Sequence, residues 1–290
     1  MISRLCIVGV GLIGGSLAKD LRRLGLCHEV IGCNRKRENL ERARELGIID
    51  AYYLDPAKAV EGADMVILAV PLGAMADVLR AMGPGLSARA VVTDVGSAKC
   101  SALEAARSAF GAIPENFVPA HPIAGTEHSG VDAALEGLFR GRRVILTPVD
   151  ETRPEASRRV REMWQSVGAE VLEMDPAHHD QVLAATSHLP HMLAYTLVDM
   201  LGQMEERVEM FRYAAGGFRD FTRIASSDPQ MWHDICIANR DALVDALDRF
   251  QADLGTAIDA IRDGDGKTIK EIFTRAKALR DRYAGESDVG

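Results

Sequence analysis

No stretch of ~18 uninterrupted apolar residues occurs in the 290-residue chain, which argues against a membrane-spanning helix. A signal peptide is missing as well, because the apolar stretch 5–13 is broken by Gly9-Val10-Gly11 and no cleavage-like site follows. Cysteine is sparse: Cys6, Cys27, Cys33, Cys100 and Cys236 are odd in number and form no CxxC pair. That argues against a disulfide framework or a cysteine-based metal site and fits reduced thiols in the cytoplasm. Basic residues are not in excess. Against 34 Lys and Arg stand 42 Asp and Glu, a net charge of -8, so neither a nucleic acid nor an anionic membrane is the expected partner. Repeats and low-complexity segments are absent too.

What remains is the composition of an ordinary globular protein, 47% hydrophobic and 26% charged, at a length that suggests two domains. Glycine is uneven, with 18 of the 26 before residue 175. The same region alternates β-branched runs with helical spacing, which predicts a parallel α/β sheet with strands at 4–8, 29–32, 65–70, 90–94, 117–118, 143–146 and 170–174. Leu17, Leu21 and Leu24 give the helical spacing of a crossover between the first two. From Asp175 onward helical patterns dominate. Leu247, Phe250, Leu254, Ile258 and Ile261 form one apolar face, which either fills the core of the second domain or is a dimer seam. The expected organisation is a Rossmann-type dinucleotide-binding domain over 1–174 and an all-α domain over 175–290.

The string Val8-Gly9-Val10-Gly11-Leu12-Ile13-Gly14-Gly15-Ser16 sits at the first strand-to-helix junction, the place where a GxGxxG pattern is informative. Gly9 permits the tight turn, Gly11 lets backbone approach a pyrophosphate, and Gly14 lets helix and strand pack closely. No Gly-Lys-Ser/Thr follows, so a Walker-type phosphate loop is excluded. Cofactor contacts are expected from Gly9, Gly11, Leu12, Ile13 and Gly14, and from Val70 and Pro71 at the end of the third strand. After the second strand, where an NAD-binding chain places an acid, come Asn34-Arg35-Lys36-Arg37. This is either a solvated basic helix start or a pocket for a 2′-phosphate; the second reading makes NADP the preferred cofactor, with NAD possible.

Three segments then carry polar residues whose chemistry belongs together: Asp94-Val95-Gly96-Ser97-Ala98-Lys99, His121-Pro122-Ile123-Ala124-Gly125-Thr126-Glu127, and Asp180 with Ser187-His188-Leu189-Pro190-His191. The first two lie past carboxyl ends of strands, where open α/β sheets bind ligands. On an α-helix Asp180 and His191, 11 residues apart, share a face, although Pro190 should distort the turn. Ser97 could instead cap the next helix. His178 and His179 read as solvated helix residues. No helical HExxH is present, and no metal is expected. The cluster reads as a hydride-transfer site.

Taken in order, VGVGLIGGS, DVGSAK, HPIAGTE, SHLPH and GGFRDFTRIASSDPQMW (216–232) resemble the prephenate/arogenate dehydrogenases of tyrosine biosynthesis. The resemblance implies a Rossmann-type domain followed by a helical domain through which the chain forms a homodimer. It implies that His121 is the catalytic histidine at the ring hydroxyl of the substrate and that Ser97 binds the same hydroxyl. Arg223 would hold a substrate carboxylate. His188, His191 and Asp180 would shape the pocket, with Thr126, Glu127, Gly216 and Trp232 nearby. Two rivals are a 3-hydroxyacid dehydrogenase of the 6-phosphogluconate type and a dinucleotide-sensing protein without turnover. The first needs a catalytic lysine, and Lys267, Lys270 and Lys277 sit in no matching motif. The second has no use for His121, His188, His191 and Arg223 together.

Overall fold

The computed structural model describes residues 1–284 except 127 and 206. Among the described residues nine strands are present: β1 (Ile2–Val8), β2 (Cys27–Cys33), β3 (Ala51–Tyr53), β4 (Met65–Leu68), β5 (Val91–Asp94), β6 (Phe117–Val118), β7 (Ala120–Pro122), β8 (Arg143–Leu146) and β9 (Glu170–Glu173). The first six form one sheet in the order β3-β2-β1-β4-β5-β6, every pair parallel. That is the doubly wound Rossmann order, in which the strand order reverses between β1 and β4. Alternate residues of β1 serve opposite faces: Leu5 and Ile7 join one buried cluster, Cys6 and Val8 the other. Helices α1 (Leu12–Arg23), α2 (Arg37–Glu45), α3 (Pro56–Val60), α4 (Met75–Met82), α5 (Lys99–Phe110) and α6 (Pro154–Ser166) lie among these strands in the chain.

The remaining strands make a second sheet, β7-β8-β9, with β7 antiparallel and β9 parallel to β8. One parallel sheet was the expectation from spacing; two sheets result because Pro119 separates β6 from β7 and the chain changes sheets there. Strands β3 and β7, three residues each, were not anticipated, being too short to show a period. After β9 the chain is helical: α7 (Pro176–Leu183), α8 (Leu189–Gly202), α9 (Arg207–Arg212), α10 (Gly216–Thr222), α11 (Pro229–Ala238), α12 (Arg240–Arg262) and α13 (Gly266–Ala284). Compactness groups 1–240 as one unit and 241–290 as another, a different division from the change of element type at 174/175. In the second unit Phe250, Leu254, Ile258 and Ile261 are solvent-exposed in the single chain, so their apolar face does not fill a core within it.

One buried ion pair ties β5 to the start of β7. Asp94 ends β5, and its Oδ2 accepts from Lys99 Nζ at 2.5 Å and from the Gly96 amide at 2.8 Å. Its Oδ1 accepts from the Ala120 amide at 3.1 Å, while Lys99 Nζ donates to the Ala120 carbonyl at 2.7 Å. Both backbone groups of Ala120 are thereby held, and His121 is the next residue. Neither side chain of the pair is exposed. Removing one partner of such a pair strands the other charge, at a cost of about 3–5 kcal/mol. Lys99→Met should lower the urea midpoint accordingly, whereas Arg107→Ala, at an exposed pair, should leave it nearly in place. Equal midpoints for Lys99→Met and the parent would show that the pair does not hold the junction.

Candidate active site

The glycine turn fits a dinucleotide for reasons visible atom by atom. Gly9 has φ +100, and a Cβ there would lie 2.1 Å from the Ala69 carbonyl oxygen, so the fold itself demands glycine. Gly11 differs: a Cβ there would meet nothing within 4 Å. Its missing side chain leaves space on the ligand side, as close approach of a pyrophosphate requires. Helix α1 starts here with no side-chain cap and no acid in its first turn, so its amide donors and positive end face an anion unopposed. The Gly9 amide donates to the Cys33 carbonyl, which sets the end of β2, and hence Asn34, beside the turn.

A cleft of about 560 Å³ runs from this turn to the histidine motifs. Gly9, Gly11, Leu12, Ile13, Gly14, Val70 and Pro71 line one part of it, and Ser97, His121, Thr126, His188 and Trp232 another. Ser97 does not cap α5. The cap residue is Ala98, without a side-chain bond, and the carboxylate of Asp180 takes the office from another helix. Asp180 Oδ1 accepts from the Lys99 amide at 2.7 Å and Oδ2 from the Cys100 amide at 2.9 Å. Asp180 Oδ1 also lies 2.8 Å from His179 Nδ1, and His179 Nε2 lies 2.9 Å from His121 Nδ1. His179 is fully buried, which corrects its reading as a solvated residue; His178, beside it, is exposed. Burial, with the positive charge of Lys99 adding to it, holds the His121 imidazole well below its ordinary 6.5.

Between α7 and α8 the helix widens into a π turn, Ala184–His188, in which the Leu189 amide reaches back five residues to the Ala184 carbonyl. Pro190 follows at once; it has no N–H and its ring crowds the carbonyl four residues back, and the wider turn relieves both. One extra residue in the turn shifts the helical phase by about 100°. Asp180 therefore aligns with His188 and not, as an unbroken helix predicts, with His191. Asn239, at the end of α11, spans the aligned pair, donating from Nδ2 to the Asp180 carbonyl at 2.8 Å and to His188 Nδ1 at 3.1 Å. His188 must then carry its proton on Nε2. Desolvation, partly offset by Asp180, pushes its pKa down to about 4. His191 donates from Nδ1 to the Ser187 carbonyl at 2.8 Å and stacks on Trp232, ring centroids 3.7 Å apart. Trp232 Nε1 is buried without a partner among the described residues.

Asp180, Arg223, Gly216, Asn34 and Arg35 do not line the cleft. Asp180 stands behind the histidines. Arg223, just past α10, is exposed, though near enough to His191 to depress its pKa after burial and against the Ser187 bond. Gly216 is the exposed first residue of α10. Thr126 exchanges bonds with the backbone of His128. Glu127 lies outside the described residues. Asn34 and Arg35 follow β2 directly, away from the cleft wall, and Asn34 Oδ1 accepts the Arg35 amide at 2.7 Å. Sequence reasoning missed His179 and Asn239, and saw in Asp94 and Lys99 only flanks of Ser97. A histidine next to an acid within a helix was the one signal for His179; no local pattern marks Asn239.

Two sequence profiles match the chain: the prephenate dehydrogenase nucleotide-binding domain over 17–173 and the prephenate dehydrogenase dimerization domain over 175–275. The first begins after the glycine turn, so the case for that turn rests on its geometry. Cyclohexadienyl dehydrogenase of Zymomonas mobilis is 38% identical, covering 100% of this chain and 99% of its own. Prephenate dehydrogenase of Bacillus subtilis is 34% identical over 97% of this chain and 76% of its own. Among solved structures, prephenate dehydrogenase from Aquifex aeolicus in complex with hydroxyphenyl propionate and NAD+ superposes with a TM-score of 0.89 at 36% identity, covering 97% of this chain and 98% of that one. Synechocystis arogenate dehydrogenase gives 0.80 at 31% identity, with coverages of 97% and 99%.

The buried histidines make stability depend on acid. His188 has a folded pKa of about 4 against an ordinary 6.5, so below 6.5 the unfolded chain takes a proton that the folded chain refuses. Stability is complete above 6.5 and is lost as pH falls to about 4, by on the order of 3 kcal/mol from this group. The denaturation midpoint of His188→Asn should fall less between pH 7.5 and 4.5 than the parent's. A gap between the two that stays constant with pH would contradict this.

Proposed function

The chain belongs to the prephenate dehydrogenase family, and from that premise we propose that it performs the oxidative decarboxylation of prephenate, arogenate or both, giving 4-hydroxyphenylpyruvate or tyrosine. One observation carries the reading: a buried, neutral imidazole, His121, shares a cleft with an uncapped glycine-rich helix start. A nicotinamide dinucleotide bound at that turn supplies the hydride acceptor. His121 takes the proton of the ring hydroxyl as hydride leaves the carbon that bears it, and a neutral imidazole suits that task near pH 7. Ser97, on the same cleft wall, orients the hydroxyl. The ketone forming there draws electrons from the ring, the ring carboxylate departs as carbon dioxide, and the ring becomes aromatic. Arg223 holds a substrate carboxylate with its forked donors. His188, Trp232 and Thr126 on the cleft wall, with His191 stacked on Trp232, shape the substrate pocket, and Asp180 stands behind the histidines.

We keep 1–174 as the dinucleotide-binding domain and 175–290 as the substrate and dimerisation domain, in a cytoplasmic homodimer. The exposed face of Phe250, Leu254, Ile258 and Ile261 supports assembly through the helices. Among the described residues no helix is long and apolar enough to cross a membrane.

Kinetics with prephenate and arogenate separate the roles. His121→Asn should lower kcat by roughly 10²–10⁴-fold with little change in cofactor affinity. Arg223→Ala should instead raise KM by about 10–100-fold, the loss of one charge-assisted contact. An undiminished kcat in the first variant would remove His121 as the base, and an unchanged KM in the second would assign the carboxylate to another cation.

The preferred cofactor is NADP. Asn34 spends its carbonyl on the Arg35 amide, which leaves its donor side for a ligand, and Arg35 is exposed immediately past β2. A carboxylate at this place would bind the free ribose hydroxyls and repel a 2′-phosphate; a guanidinium does the reverse. One such contact, worth about 1.5–3 kcal/mol, favours NADP by roughly 10–150-fold. Measured as kcat/KM, the parent should prefer NADP and Asn34→Asp with Arg35→Ile should reverse the ratio. A parent that prefers NAD, or a ratio the double change does not move, would overturn this assignment.

A further inference from the structure

His179 is fully buried and bonded through both ring nitrogens, to His121 on one side and Asp180 on the other. The direction of every bond in this series follows from its far end. Burial opposes ionisation of Asp180, but the His179 bond and the Lys99 and Cys100 amides outweigh it and hold the carboxyl below its ordinary range. An ionised carboxylate only accepts, so His179 Nδ1 carries a hydrogen. A neutral His179 then has a bare Nε2, which accepts in turn, and the hydrogen between the rings belongs to His121 Nδ1. A cationic His179 would reverse this last bond; it would also add a second buried positive charge near His121, where Lys99 already provides one.

We propose that His179 is a positioning residue that locks His121 in its Nδ1–H form, so that the only lone pair His121 can offer the substrate hydroxyl is on Nε2. This rests on the assignment of His121 as the base. The isolated imidazole has no such restriction, and a ring that turned over or changed tautomer would present an N–H, which cannot accept a proton. When His121 takes the proton on Nε2, its Nδ1–H remains bonded to His179, and the charge is stabilised through that ring by Asp180.

Two kinds of measurement test the lock. In the first, protein labelled with ¹⁵N-histidine is examined by NMR at neutral pH without cofactor or substrate. His121 and His179 should both be protonated on Nδ1 and bare on Nε2, and in His179→Leu the His121 signal should shift toward the Nε2–H form. In the second, steady-state kinetics on His179→Leu should show kcat down by roughly 10²–10³-fold with KM within about threefold of the parent. His179→Gln should recover kcat to within about tenfold of the parent, because its amide again pairs an acceptor for His121 with a donor for Asp180. A parent His121 protonated on Nε2, a His179→Leu kcat within about threefold of the parent, or a Gln variant no better than Leu would each overturn the proposal. If His179→Leu fails to fold, the parent spectrum and the Gln variant decide. Full kcat in His121→Asn would instead defeat the reading of the base itself, which keeps the two failures apart.

Discussion

The Asp180 carboxylate, buried against the first two amides of α5, is the interaction on which the site depends. It supplies the cap and the negative charge that α5 lacks in its own first turn. It anchors α7 to the end of the main sheet. Because it can only accept, it also imposes a direction on the bonds that lead away from it. A neutral group in its place would cap the helix less well and would leave that direction undetermined.

Asn239 does for His188 what Asp180 does for the other histidines. Its amide nitrogen must donate to a carbonyl, so His188 accepts on Nδ1 and keeps its proton on Nε2. Two neutral histidines on one cleft wall thus have opposite polarity: His121 with a bare Nε2, His188 with a protonated one. A substrate that must lose a hydroxyl proton and also carries carboxylates needs one of each. Neither polarity is a property of histidine; both are set by residues that do not line the cleft.

What could be read from residues alone follows from how local its physics is. A strand-to-helix turn with three spaced glycines announces itself because Gly9 and Gly14 are required by close contacts, Gly14 with the turn and strand only a few residues away. His121 and Ser97 were found because each follows a strand end in an unusual polar string. His179 was not, since its burial comes from β7 and α5, neither of which is near it in the chain. The pairing of Asp180 with His191 failed for a related reason: helical phase was counted at a constant pitch, and the π turn before Pro190 changed it. The apolar face of α12 was correctly seen as a face, but whether a core or a second chain covers it is a tertiary fact that periodicity does not contain.

Cofactor choice and chemistry occupy different edges of the same fold. The residues proposed above to meet the adenine ribose follow β2, where Asn34 Oδ1 accepts the Arg35 amide and Arg35 is exposed. The residues assigned above to the chemistry lie just past β5, within β7 and in the π turn, and are tied to one another by Asp94, Lys99, Asp180 and Asn239. No bond joins the two groups among the described residues. With Asn34 and Arg35 selecting the dinucleotide as proposed, a change at the β2 edge leaves the histidine tautomers undisturbed, since sites without shared partners act nearly independently. The reverse does not hold within the histidine cluster, where each member fixes the state of the next. Selectivity for the dinucleotide is the part of this active site that can drift residue by residue; the proton-handling part can change only as a unit.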